Sequence, residues 1–397
     1  MISVEEARSK ILEGMTAVAA ETVSLDNAHR RILATPVAAR LTQPPADVSA
    51  MDGYAVRAAD AGIGAELKII GTAPAGHPFA GTLGPGEAVR LFTGSFMPPG
   101  ADTVLLQEDA TAANTRVTLN AACQPGKHIR KAGQDFAAGD LLIQAGHRLT
   151  PRDIGLAAAA NHPWLTVHRR PRIAILSTGD EISLPGEPIG PGGIISSNAH
   201  ALAAFITAAG GEPIILPIAA DDRIAIAAGA DAAHGADMLV TTGGASVGDH
   251  DLVQAGLAAR GLQLDFWKIA MRPGKPLMFG RLGTMPMLGL PGNPVSAFVC
   301  ALLFLRPAIE RLSGVTAEAL PFESARLGAP MKANDQREDY VRASLARDND
   351  GWIVTPFPVQ DSGMLRTLAL ADALILRRPH APAADSGQTV QILRLDA

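Results

Sequence analysis

Cysteine is nearly absent from this chain of 397 residues: only Cys123 and Cys300 occur. Two cysteines build neither a disulfide framework nor a thiolate metal site. Long basic runs are missing, and the net charge of −5 gives no footprint for nucleic acid. The longest apolar run, 295–305, is too short to span a bilayer and reads as a core helix, while the opening residues MISVEEARSKILEG are charged rather than signal-like. The expectation is a cytoplasmic protein with no membrane partner. Internal repeats and low-complexity tracts are also lacking. No histidine stands beside a serine or cysteine in a nucleophilic arrangement, and HExxH does not occur. What is left is chemistry done by carboxylates, cations and backbone amides. Glycine (40) and proline (29) are above average usage, which signals many turns.

The richest stretch is 237–294. Its apolar runs at 238–240, 264–267 and 287–290 each end in a loop dense in glycine, proline and charge. Buried strands deliver their carboxyl ends to a ligand crevice in this way in an open α/β sheet. Gly243, Gly244, Gly248, Gly274 and Gly292 let backbone N–H groups approach an anion, with Ser246 in the same loop. Asp249 and Asp251 offer hard oxygen ligands, and Lys268, Arg272 and Lys275 offer cations. Together they suit a polyanionic substrate held with Mg²⁺. The Gly-rich loop is no Walker A motif, since no Gly-Lys-Ser/Thr follows it. Asp249 also reads as the N-cap of the next helix, with Asp251 in its first turn. The flanking prolines of PGKP and PGNP (Pro273, Pro276, Pro291, Pro294) hold Lys275 and Asn293 in place.

In chain order, Ser3 and Glu6 have capping-box spacing, and residues 1–40 read as a helix followed by a connector. Paired prolines and Asp52-Gly53 mark a domain entry; alone, Asp52 is an ordinary turn aspartate. Short strand candidates between glycine and proline turns fill 56–137, with Thr93 at one strand end and Asp135 in a Gly-flanked loop. Lys127, His128, Arg130 and Lys131 read as a solvated face. Thr150, Pro151 and Asp153 start a helix that returns to the first segment and makes 46–137 an insertion. From 172 strands and helices alternate: a strand leads into Asp180-Glu181, Asn198 caps a helix, the Asp221-Asp222 loop precedes another, and Asn293-Pro294 starts the last. The crowd of carboxylates at one sheet edge would be relieved by a divalent cation. The predicted fold class is α/β plus β: a doubly wound α/β domain at 172–313, an inserted β-rich domain at 46–137, a discontinuous elongated part at 1–45 and 138–171, and a small β-barrel at 314–397.

These motifs together resemble the molybdopterin molybdenumtransferase family, known as MoeA in bacteria and as the E domain of gephyrin in animals. SAMDGYA (49–55), TGSFMPPGADTV (93–104), GQD (133–135), STGDEI (177–182), TTGGASVGDHD (241–251), RPGKP (272–276) and GLPGNPVSA (289–297) stand in family order and spacing. The resemblance implies a four-part elongated subunit and a homodimer, dimerising through 1–45 with 138–171, whose cleft lies between the inserted domain of one subunit and the α/β and barrel domains of the other. It implies insertion of molybdenum from molybdate into adenylylated molybdopterin with Mg²⁺, releasing AMP. The adenylylating enzyme and molybdoenzyme acceptors would be partners. Carried over by position, Asp52, Thr93, Asp135, Glu181, Asp222 (or Asp221), Asp251, Lys268, Arg272 and Lys275 would be catalytic. Arg342, with Arg337 as competitor, and Ser362 would bind the oxyanion, and Asp251, Glu181 and Asp249 the metal. Arg272 replaces the family's usual lysine, a flat fork for a point cation. The competing functions are a molybdopterin adenylyltransferase and a scaffold of the gephyrin type; tungstate competes with molybdate as metal source.

Overall fold

Four bodies of secondary structure follow from where the apolar stripes find partners. The structure is a computed structural model that describes residues 1–243, 252–315 and 320–395. The expected site residues Gly244, Ser246, Gly248, Asp249 and Asp251 lie outside the described residues.

The chain opens on the helix Val4–Leu12, whose first turn is capped by the Ser3 hydroxyl accepting from the Glu6 N–H. The stretch between this helix and residue 40 differs from the expected connector. Ala20–Ser24 pairs antiparallel with Trp164–His168, and Val37–Ala38 with Leu141–Ile143. Both partners are more than a hundred residues away, so no local pattern marks these short strands. Between the two pairings the chain runs through a six-stranded sheet, ordered Thr103–Leu106, Gly53–Val56, Glu87–Leu91, Glu66–Ala73, Arg116–Leu119, Ala110–Ala113. The helix Pro151–Ala159 begins with a full capping box between Thr150 and Asp153, so aspartate serves where glutamate is more usual.

The central sheet is ordered Glu212–Ile215, Arg172–Ser177, Met238–Thr242, Met285–Leu290, Met278–Leu282, Leu262–Trp267. Its first four strands are parallel and the last two pairings antiparallel. Two reversals restore the original direction, so Leu262–Trp267 ends at the same edge as Met238–Thr242 and Met285–Leu290. It is not a buried strand as its apolar run suggested: paired on one side only, it alternates between shielded and exposed residues. Pro294–Cys300 continues through a π-helical turn, Ala301–Leu305, into Arg306–Leu312, and the apolar run 295–305 is buried apart from half-buried Phe298.

Five C-terminal strands, Phe322–Leu327, Glu338–Asp348, Gly351–Pro356, Ala373–Arg377 and Thr389–Arg394, close into a barrel because Glu338–Asp348 pairs with both Gly351–Pro356 and Ala373–Arg377. Met271–Arg272 adds to Glu338–Asp339 in parallel and so stitches the barrel to the α/β body. No helix among the described residues is long and apolar enough to cross a membrane.

Candidate active site

The carboxyl edge of the central sheet opens into a cavity of about 730 Å³. Glu181, Gly243, Pro291, Gly292 and Asn293 line it, together with Ser177, Asn198, Thr242 and Gly363. Two glycines, Gly243 in the lining and Gly274 two residues before the lining residue Pro276, are required by the backbone. Gly243 sits at φ +97°, and a Cβ on it would fall 2.3 Å from the Thr178 carbonyl oxygen. Gly274 sits at φ +110°, where a Cβ would lie 2.5 Å from Cys300 Sγ. Side chains are excluded by both conformation and space at these points. Gly292 packs against Gly243: a Cβ on Gly292 would be 3.5 Å from Gly243 Cα.

Two expected caps serve other ends. Asn198 is the first residue of the helix Asn198–Ala208, behind Ser197, and does not cap it. Its amide instead donates to Thr242 Oγ1 and to the Gly292 carbonyl, both at 2.8 Å. One side chain thereby fixes a strand end and the PGNP loop. Asn293 precedes its helix without a capping bond; its Nδ2 donates to Ser362 Oγ at 2.9 Å. The helix finds its cap in the barrel, where the Ser362 carbonyl accepts from the Val295 N–H at 3.1 Å. Sequence reading missed Asn198 and Thr242 as cavity residues. The only signal for Asn198 was its polarity at a helix start, which capping already explained.

Carboxylates crowd one side of this edge. Asp180 Oδ1 accepts from the Asp221 N–H at 3.0 Å. Burial, then the charges of Glu181 and Asp180, push the Asp221 carboxyl above its ordinary range. Asp222 is spent locally: it caps Arg223–Ala232, accepting from the Ile224 and Ala225 N–H groups at 2.8 and 2.9 Å. Among the described residues no group of three or more His, Cys, Asp or Glu is placed to hold a metal. The hard oxygen donors and their mutual repulsion still suit a divalent cation.

Arg272, Arg337, Lys268 and Arg342 are held by partners. Arg272 grips Asp339 with Nε at 3.0 Å from both carboxylate oxygens and Nη2 at 2.5 Å from Oδ2, and stands 3.5 Å from Asp335. The fork geometry that sets Arg apart from Lys is used on this carboxylate. Asp335 also pairs with Arg337 at 3.2 Å. Pro273 follows Arg272 through a cis bond. Lys268 adopts φ +81° and lays its Nζ 4.2 Å over the Trp267 ring. Lys275 is half-buried beside the cavity residue Pro276. Arg342 is sealed, 1% exposed. Its Nε donates to Gln360 Oε1 at 3.3 Å, Nη1 to the Met364 carbonyl at 3.2 Å and Nη2 to the Asp361 carbonyl at 2.8 Å. Those bonds brace the loop that carries Ser362.

The inserted sheet holds the rest elsewhere. Asp52 Oδ1 accepts from both the N–H and the hydroxyl of Thr93, at 2.7 and 2.8 Å, and these bonds hold its carboxyl below the usual carboxylate range. Asp135 and Gly94, next to Thr93, line a second concavity of about 490 Å³. No residue is common to the linings of the two cavities.

Known proteins match this layout along its length. The profile of the MoeA N-terminal region (domain I and II) matches residues 2–161, that of the probable molybdopterin binding domain 174–311, and that of the MoeA C-terminal region (domain IV) 324–395. The molybdopterin molybdenumtransferase of Nostoc sp. is 38% identical over 386 residues, covering 94% of this chain and 88% of the relative. That of Haemophilus influenzae is 33% identical over 397 residues, covering 99% and 98%. The crystal structure of a molybdopterin biosynthesis MoeA protein of Pyrococcus horikoshii superposes with a TM-score of 0.87 at 29% identity, covering 99% of both chains.

Proposed function

Since the chain belongs to the molybdopterin molybdenumtransferase family, we propose that it inserts molybdenum from molybdate into adenylylated molybdopterin, releasing AMP and yielding molybdenum cofactor. The observation that carries this reading is the 730 Å³ cavity whose lining combines glycine-loop amides, a carboxylate and a barrel loop. Backbone N–H groups of the Gly243 and Gly292 loops cradle the pterin phosphate without side-chain obstruction. Lys275 and Lys268 balance its charge. Pro273, Gly274 and Pro291 fix the loops that carry these groups. Ser362 presents its hydroxyl to molybdate, Arg272 keeps its fork on Asp339 and would act on the oxyanion only through that pair, and Arg342 sets the position of the Ser362 loop.

The carboxylate set fits a hard divalent cation. Glu181 with Asp249 and Asp251 would hold Mg²⁺, which would supply charge stabilisation to the phosphoanhydride. Asp221, pushed up by burial and then by the charges of Glu181 and Asp180, lies beside this set, and Asp222 contributes by fixing the turn. Asp135 lines the other concavity and the Asp52–Thr93 pair stands beside it, next to Gly94, which suits a homodimer in which the inserted sheet of a second copy completes the cleft. The protein would act in the cytoplasm, taking its substrate from the adenylylating enzyme and passing the cofactor to molybdoenzyme acceptors.

The test is AMP release from adenylylated molybdopterin by the purified protein with Mg²⁺, with and without molybdate. Molybdate-dependent release, lost in Asp251→Asn, is expected. Formation of adenylylated pterin from ATP without such release would refute the assignment.

A further inference from the structure

A third cavity, polar and of about 270 Å³, lies away from the sheet edge. Its lining comes from the turn at 29–32, Arg148, the connector 168–170, and Thr207, Ala208 and Gly210 at the end of the Asn198–Ala208 helix with Ser313. Five arginines and two histidines face it, and no carboxylate does. Three of the arginines have carboxylate partners behind them. Arg31 pairs with Glu21, Arg169 with Asp237 at 2.6 Å, and Arg148 stands 4.0 Å from Glu310, which Arg306 also holds at 3.2 Å. Arg30 and Arg170 have no hydrogen bond or ion pair from their guanidinium groups among the described residues. The local surplus is therefore about two positive charges.

The cavity is built as well as charged. The Arg31 side chain is only 10% exposed. Its Nη2 is taken by Glu21 and by the His168 carbonyl at 2.8 Å, which fixes the fork. The next residue back, Arg30, holds φ +63°, a left-handed conformation that costs a residue with a Cβ roughly 1 kcal/mol or more. Its N–H bond to the Leu149 carbonyl at 2.9 Å keeps it there. Planar guanidinium forks match phosphate oxygens, and a phosphate monoester carries close to two negative charges at neutral pH. A surplus of two cations selects that charge, and the volume admits the phosphate with a small organic group.

We propose that this cavity, at the junction of the first region with the α/β body, binds a soluble phosphomonoester dianion through Arg30 and Arg170, with buried Arg31 as the fixed wall. It is distinct from the pterin cavity, and occupancy would clamp the junction. The probes are inorganic phosphate and glycerol 3-phosphate, titrated calorimetrically into the full chain at physiological salt. One saturable site per chain is expected. Both contacting arginines are exposed, so the double variant Arg30→Gln/Arg170→Gln should fold normally by circular dichroism and bind at least tenfold more weakly. Asn293→Ala, at the other cavity, should leave the affinity unchanged. No saturable binding would overturn the proposal. So would equal binding by the folded double variant, or loss of binding in Asn293→Ala. Attachment to phosphatidate vesicles without binding of either soluble probe would overturn it too.

Discussion

Arg342 separates two roles that an arginine beside an oxyanion site could have. Its guanidinium is buried and makes one short and two longer hydrogen bonds, all to neutral acceptors on residues 360, 361 and 364. Bonds from a charged donor contribute roughly 1.5–3 kcal/mol at good geometry. Two are long, so about 4 kcal/mol is a fair sum for the three. Burying the charge works against this, and burial indeed lowers the Arg342 pKa. Replacing it with methionine keeps the apolar stem and removes that cost, and Gln360 Oε1 still accepts from the main-chain N–H of residue 342 at 3.0 Å. The net loss in Arg342→Met should be about 2–3 kcal/mol, read from urea denaturation. It should be concentrated in the Ser362 loop. The Val295 amide, bonded to the Ser362 carbonyl, should therefore exchange with deuterium markedly faster, while amides of the Met238–Thr242 strand keep their protection. Turnover should fall together with Val295 protection. If turnover vanished while stability and Val295 exchange stayed as in the parent, the guanidinium would be an oxyanion ligand and not a brace.

Thr93→Val removes one of the two bonds that lower the Asp52 pKa. The Asp52 midpoint, followed by carboxyl carbon NMR, should move up toward the ordinary aspartate value. The sign follows from the depressed folded value: the Asp52 contribution is present above the unfolded pKa and is lost as pH falls through the folded one, so the variant should lose it at higher pH. Gly243→Ala forces a Cβ to 2.3 Å from a carbonyl oxygen in a left-handed conformation; a loss above about 2 kcal/mol and a lower Tm are expected. An unchanged Tm would contradict the tight approach of these loops. Asn198→Ala deletes two neutral donors worth about 1 kcal/mol each and should raise KM for the pterin more than it lowers kcat. An unchanged KM would remove Asn198 from the site.

The parallel sheet and its loops were legible because strand, glycine turn and helix are adjacent in sequence. The Thr150–Asp153 cap and the helix after Asp222 rest on residues within a few positions of one another. The misses are non-local. Asn198 reaches Thr242 and Gly292, 44 and 94 residues away, so its side chain looked like a simple cap. Ala20–Ser24 is a strand only because Trp164–His168 lies beside it. The barrel strand Phe322–Leu327 gave little warning, with one face largely exposed. Arg342 was named for an oxyanion by resemblance alone; its acceptors on the returning 360–364 loop, some twenty residues on, left no local signal. Arg272 in place of lysine became intelligible once Asp339 was found opposite its fork.

The stitch between Ile2 and the α/β body carries a consequence for synthesis. Ile2 bridges in parallel to Ile269, and its carbonyl accepts from the Ala270 N–H at 2.9 Å. Val4, Ala7 and Ile11 belong to the same apolar cluster as Ile269, Leu303 and Ile309. The helix Val4–Leu12 thus has its docking surface some 267 residues later, counting from Ile2 to Ile269. At about 5–20 residues per second its apolar stripe waits roughly 13–50 s for a partner. During translation that short stripe, rather than any of the cavities, is a surface open to a holding chaperone until its partner is made.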